Sequence, residues 1–290
     1  MSFRVVVISQ SAKLDLKLKT LVIRQETITR IPISEIAVLI LESTATSVTS
    51  AALCELVKSK VKVIFCDEKR NPISELTPYY GSHDTSLKVK IQTHWNEELK
   101  QAVWTQIVAS KIEKQMQTLI MLGLEQYEKL AHYIDQLEFN DVTNREGHAA
   151  KVYFNAMFGK SFARTQDNPT NAALNYGYSL LLSAFNREIV AAGYITQIGL
   201  FHDNMYNGFN LSCDLMEIFR PIIDLKVRQM QPIKFEKKEK LELIKVLNSQ
   251  VIIDNKEQYL LNAIKIYVKS VFDVLNEVEN AQIKVYRNEL

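Results

Sequence analysis

The chain has 290 residues, 47% of them apolar and 23% charged, which excludes an intrinsically disordered or fibrous protein. That length accommodates one large domain or two unequal ones, and two are expected. With 35 Lys and Arg against 33 Asp and Glu, the net charge of +2 is too small to argue for nucleic-acid binding by itself.

The first 75 or so residues carry short β-branched runs, RVVVIS, LVIRQETITRIPI, IAVLILES and VKVIFCD, which read as strands. Between the last two, VTSAALCELVKSK has apolar positions, Val48, Ala51, Leu53, Leu56 and Val57, that suit a short amphipathic helix after a Ser/Thr-rich start. NPISELTPYYGSHDTS gathers Pro72, Pro78 and Gly81 among small polar residues and reads as a loop or linker. From about residue 88 the pattern turns helical. In WTQIVASKIEKQMQTLIMLG, Ile107, Ile112, Met116, Leu119 and Ile120 can share a buried stripe. LEQYEKLAHYIDQL, REGHAAKVYFNAMFG, NAALNYGYSLLLSAFNREIVAAG, CDLMEIFRPIIDLKVRQM, KKEKLELIKVLN and YLLNAIKIYVKSVFDVLNEVENA continue it. The expected class is α+β, a small N-terminal β-rich domain followed by a larger all-α domain. The division is placed at residues 1–78, a linker 79–90, and 91–290.

No apolar run approaches the roughly 18 to 20 residues that span a bilayer, and the start MSFRVVVISQSAKLDLKL lacks a signal-peptide layout, so a cytoplasmic location without a membrane partner is expected. Cys54, Cys66 and Cys213 show no CxxC spacing and read as buried thiols. Arg228, Lys234, Lys237, Lys238 and Lys240 are interleaved with acids and read as a solvated helical surface.

Three segments hold residues able to do chemistry. In NREGHAAKVYF, Glu146 and His148 stand near a helix start, where an acid also favours the helix dipole. Two residues apart, they point to different sides of a helix and are not paired as ligands. In GLFHDNMYNGFNLSCDLMEIFRPIID, His202 precedes an Asn/Gly loop. Asp214 and Glu217 then stand three positions apart on one helical face, a spacing that lets two carboxylates approach one ion. Asp214, close to the expected helix start, could instead cap it. An imidazole with carboxylates suits Mg²⁺ or Mn²⁺. In NPTNAALNYGYSLLLSAFNREIV, Asn168 precedes Pro169 at a helix start, and Tyr176 reads as a core residue or a phosphate contact. No Walker A, GxGxxG or GxSxG motif is present.

Taken in order, REGHAAKVYF, NAALNYGYSLL, GLFHDN and CDLMEIFRPIID resemble the successive signatures of the CRISPR-associated integrase that captures new spacers, in forms most similar to its type II-A branch. The resemblance implies a metal-dependent integrase and endonuclease. In that family the 3′-hydroxyl of a captured DNA fragment attacks a phosphodiester at the edge of a CRISPR repeat. It places the metal ligands on Glu146, His202 and Glu217, the last where many relatives have Asp, with Asp214 and Tyr176 in support. Arg145, Arg164, Arg187, Arg220 and Arg228 lie within or beside the motifs and are the candidates for phosphate contacts. It further implies Mg²⁺ or Mn²⁺ as cofactor and double-stranded DNA as substrate. A homodimer formed or docked through the N-terminal domain is implied, within a heterohexamer around a dimer of a small ferredoxin-like Cas partner. The RNA-guided effector nuclease and a ring-shaped DNA-binding Cas protein are implied in acquisition. Two rival functions are a general metal-dependent nuclease on branched or single-stranded DNA and a non-catalytic DNA-binding scaffold.

Overall fold

The computed structural model describes residues 4–79 and 81–287. Its N-terminal part holds β1 (Arg4–Ile8), β2 (Ala12–Lys17), β3 (Thr20–Arg24), β4 (Ile28–Pro32), β5 (Ile36–Leu41), β6 (Thr46–Val48), α1 (Ser50–Lys58), β7 (Lys62–Cys66) and β8 (Pro72–Leu76). β1, β5 and β7 run parallel, with β8 antiparallel on the edge, in the order β1-β5-β7-β8. A second sheet has the order β4-β3-β2-β6. Its β2–β3 turn uses Leu18 and Lys19, both at positive φ, the twist a two-residue hairpin needs.

β5 is buried along its whole length because it is covered on both faces. Strand alternation sends Leu39 and Leu41, with Val6, Ile8 and Val63, toward the second sheet and α1. It sends Val38, Ile40 and Ile64 into the cluster formed with the helices. The parallel sheet is therefore a middle layer with a hydrophobic cluster on either side.

The helical part comprises α2 (Thr85–Gln92), α3 (Glu97–Met121), α4 (Tyr127–Asp135), α5 (Arg145–Phe158), α6 (Pro169–Ala191), α7 (Asn210–Met216), α8 (Arg220–Met230), α9 (Lys237–Val246) and α10 (Leu260–Leu275). A 3-10 turn over Glu217–Phe219 joins α7 to α8. α3 runs through the centre against α4, α5, α8 and α10. Asn168 caps α6 by accepting from Asn171 N at 2.8 Å, with Pro169 in the first turn, as the sequence pattern predicts.

Several details depart from the sequence expectations. Residues 72–76, expected as loop, pair with β7, since Pro is tolerated on an edge strand, and α2 starts at Thr85 inside the expected linker 79–90 and runs past its end to Gln92. The larger part is mainly rather than wholly helical. β9 (Gln250–Ile253) and β10 (Lys256–Tyr259) form a hairpin whose turn residues Asp254 and Asn255 both take positive φ. The last helix stops at Leu275 instead of running to residue 281. The tail then lies along the fold, with Tyr286 fully buried and its hydroxyl donating to Ile218 O at 3.3 Å; residues 288–290 lie outside the described residues. Ile120 leaves the predicted stripe and is 49% exposed, while Lys111 and Lys114 turn inward. Cys54 is exposed rather than buried, and all three cysteines are free. Lys240 is buried rather than solvated, donating to Lys69 O and to Asn71 Oδ1. Among the described residues no helix is long and apolar enough to cross a membrane.

Candidate active site

Glu146 is the second residue of α5. Asp141 accepts from Arg145 N at 2.6 Å and Glu146 N at 3.1 Å, and Asn144, itself at positive φ, accepts from Gly147 N at 3.2 Å. With the helix end satisfied by these caps, the Glu146 carboxylate is free to turn to α3, where it accepts a hydrogen bond from Lys111 Nζ. The same ammonium forms an ion pair with Glu217 Oε2 at 2.5 Å. Arg220, one turn on, pairs with Glu217 Oε1 at 3.0 Å.

The two groups at the centre are buried, while Glu146 and Arg220 reach toward the surface. Lys111 is 6% exposed and Glu217 3%. Burial alone would lower the Lys111 pKa, but Glu217 and then Glu146 outweigh it and hold the ammonium above its ordinary value. Burial would raise the Glu217 carboxyl, and Arg220 and then Lys111 outweigh it and hold it below the ordinary value. The cluster thus sets two carboxylates against two cations.

His202 enters on the segment after α6. Gln92 anchors that segment by accepting from Ile195 N at 3.0 Å and donating to Ile195 O and Ile198 O. Thr196 bonds Gly208 O at 2.7 Å, and Asn210 donates to Gln197 O and Asn204 O, closing the loop at its base. Asp214, 0% exposed, accepts from the backbone N–H groups of Leu200, Phe201 and His202 at 2.6, 3.1 and 3.2 Å. It also accepts from His202 Nδ1 at 2.5 Å. Because a carboxylate only accepts, Nδ1 must carry the proton, leaving Nε2 as the nitrogen with a free lone pair. The hydrogen bond His202 donates to Asp214 is the main reason the imidazole pKa is raised, and the charges of Asp214, Glu217 and Glu146 add to it. Phe201 stacks on Trp104 at 4.6 Å between centroids, and Trp104 meets the imidazole edge-on at 5.8 Å.

The three acids and the histidine named from sequence are therefore gathered, but in two linked pairs: Glu146 with Glu217 across Lys111, and Asp214 with His202. Asp214 does not cap its own helix. α7 begins at Asn210, so Asp214 sits in the second turn and reaches the preceding loop instead. Among the described residues no three His, Cys, Asp or Glu side chains stand close enough to grip one ion as they are now turned.

Tyr176 lies elsewhere. Its hydroxyl is buried with no hydrogen bond, and its ring contacts Phe235 and lies under Lys240, toward the strands. Two residues along the helix points the opposite way, and it is Tyr178 that approaches the acidic cluster. Its ring carries Arg220 at 4.9 Å and Arg164 at 5.4 Å, and its hydroxyl donates to the buried Asp224. Of the arginines, Arg187 Nε donates to Lys60 O at 2.9 Å and its guanidinium pairs with Glu188, tying α6 to the sheet part. Arg220 is taken up by Glu217. Arg164 donates to Asn171 and Asn175, Arg145 lies 6.0 Å from the Tyr133 ring, and Arg228 lines a cavity of about 360 Å³ with Gln166, Asn168 and Gln231. Sequence reasoning missed Lys111, Tyr178 and Asp224. The one signal for Lys111 was a cation four residues past Ile107, on an otherwise apolar stripe.

Residues 5–252 match the family model described as CRISPR associated protein Cas1. The chain is 33% identical over 292 residues to the CRISPR-associated endonuclease Cas1 of Neisseria meningitidis serogroup C (strain 8013), covering 98% of this chain and 96% of that one. Among solved structures, a casposase bound to an integration product superposes with a TM-score of 0.76 at 18% identity, covering 98% of this chain and 93% of that chain. A chain of a Cas6-RT-Cas1–Cas2 complex superposes with a TM-score of 0.74 at 19% identity, covering 99% of this chain and 36% of that one. At such identities these two likenesses speak to the fold alone, whereas the family model and the Neisseria relative span nearly the whole sequence. The chain belongs to the CRISPR-associated Cas1 family.

Proposed function

We propose that the chain is a metal-dependent DNA integrase and endonuclease that inserts captured fragments into a CRISPR array. The observation that carries this reading is the meeting of Glu146 and Glu217 from separate elements on one buried cation, within electrostatic reach of a histidine held by Asp214. Family membership supports it, as do the endonuclease name of the Neisseria relative and the integration product held by the casposase.

The donors suit a divalent ion. Two carboxylates and an imidazole match Mg²⁺ or Mn²⁺, and both carboxylates are now held by a single ammonium, that of Lys111. Such an ion would polarise the scissile phosphate and stabilise the leaving 3′-oxygen. The chain's own residues do the rest. Asp214 fixes the tautomer and direction of His202, so Nε2 is presented either to the ion or to a proton of the attacking hydroxyl; one nitrogen cannot do both. Arg220 keeps Glu217 ionised.

Phosphate contacts fall to Arg145, Arg164 and Arg228, while Arg187 and Arg220 act within the fold. A Cas partner is proposed on the strength of the Cas1–Cas2 complex, together with a homodimer. The type II-A assignment rests on motif form, and the division at residues 78 and 90 on the change of sequence texture.

The test is a strand-transfer assay with purified protein, its small Cas partner, a short duplex with free 3′ ends and a supercoiled CRISPR plasmid, with and without Mn²⁺. Metal-dependent joining by wild type and none by Glu146→Ala is expected. Equal joining by both would discard the site, and shortened fragments without joined products would favour a hydrolytic nuclease.

A further inference from the structure

We propose that Lys111 is the resident counter-cation of the Glu146–Glu217 pair, and that a divalent ion binds by displacing its ammonium from both carboxylates. The inference deepens the metal-dependent reading above and rests on it.

Lys111 is not a surface lysine that happens to touch an acid. It projects from the central helix α3, is 6% exposed, and places one ammonium against carboxylates from two other elements. An ion able to bridge Glu146 and Glu217 needs the oxygens this ammonium now holds. Both cations cannot occupy one small buried space, because unit charges a few ångströms apart repel strongly where water is excluded.

The charge count gives the consequence. Lys111 and Arg220 already balance Glu146 and Glu217, so an added divalent ion leaves two surplus positive charges beside the buried Glu217. The displaced ammonium keeps the reach of its four-carbon stem and needs a new anion. A DNA phosphodiester supplies one. Ion binding should therefore be weak on the free protein and tighten when DNA is present, and Lys111 is the positioning residue that couples the two.

The experiment titrates Mn²⁺ by electron paramagnetic resonance into full-length wild type, Lys111→Met and Glu146→Gln, each with and without duplex DNA. Couplings between two ligands typically amount to roughly 5- to 150-fold in affinity. Lys111→Met is expected to bind Mn²⁺ about tenfold or more tightly without DNA, and to lose most of the enhancement that DNA gives wild type. A lysine with only a structural role would lower the melting temperature in EDTA without tightening Mn²⁺. Unchanged or weaker binding by Lys111→Met, with binding lost in Glu146→Gln, overturns this inference and leaves the site standing. Wild-type affinity in Glu146→Gln overturns the site itself. Because the Met variant strips Glu146 of its cation, leaves the buried Glu217 with Arg220 alone and can fail to fold, the wild type is also followed by ¹⁵Nζ magnetic resonance. Adding Mg²⁺ should shift the Lys111 ammonium signal and speed its hydrogen exchange; an unmoved signal at saturating Mg²⁺ overturns the displacement.

Discussion

His202 Nδ1 lies 2.5 Å from Asp214 Oδ1, and that carboxylate simultaneously accepts three backbone N–H groups from the segment that carries His202. One buried side chain therefore shapes the loop and aims the ring. Asp214→Asn keeps an acceptor but loses the charge, and replacing such supporting partners typically costs about 10- to 100-fold in metal affinity or activity. The imidazole in wild type should titrate above the ordinary histidine value, and in Asp214→Asn it should fall back toward it, read by proton magnetic resonance of the ring. An unchanged titration would mean that Asp214 does not govern the ring.

The same carboxylate requires a bare backbone nearby. A Cβ on Gly199 would come within 2.4 Å of His202 O and 2.7 Å of Asp214 Oδ2, and neither can yield without breaking the loop. Gly199→Ala should cost roughly 1–3 kcal/mol in urea unfolding, as overpacked sites do. Strand transfer should fall by more than that loss of folded protein explains. Activity that tracks the folded fraction alone would contradict the geometry.

Asp224 gives a pH signature. Burial pushes its carboxyl up to about 7, although the Tyr178 hydroxyl and the charges of Arg220 and Lys111 act to lower it. Tyr153 also faces it, from α5. The folded chain thus keeps a proton that the unfolded chain releases near pH 4. The associated stability is complete below that pH, declines as pH rises, and is fully lost above about 7. Asp224→Asn has no proton to lose, so its stability relative to wild type should grow from pH 4 to pH 7 by up to about 4 kcal/mol. Parallel stability curves for the two proteins across that range, measured by urea unfolding, would refute the shift.

Arg187 and Tyr176 should separate fold from function. Replacing Arg187 with Ala removes the bond to Lys60 O and should lower stability by about 1 kcal/mol while leaving the salt dependence of DNA binding unchanged. Tyr176→Phe removes a buried hydroxyl that makes no hydrogen bond, and should be neutral or slightly stabilising with full strand transfer. A reduced salt slope in the first or lost joining in the second would return these residues to the DNA-handling surface.

The parts legible in sequence were those where one residue's neighbours along the chain decide its fate. IAVLIL reads as a strand because it is a short β-branched run, and Asn168-Pro169 marks a helix start by its capping chemistry. β8 was not legible: PISEL runs along an edge with little burial, so its pattern resembles a loop. The hairpin of β9 and β10 was hidden because only β9 is apolar. Glu146, His202, Asp214 and Glu217 could be named, but their division into two pairs could not. That division depends on Lys111 from α3, and a lone lysine among apolar residues carries no sign of whether it turns in or out.

The middle position of the β1-β5-β7-β8 sheet sets how the molecule comes apart. Each of its faces is the wall of a different hydrophobic cluster, so neither cluster can dissolve without uncovering a face of the other's boundary. Heating should give one cooperative transition rather than two. A fragment cut after the strands would carry Val38, Ile40 and Ile64 as a bare apolar face and associate through it, so the strand region cannot be studied as a free-standing piece without a substitute for the helices.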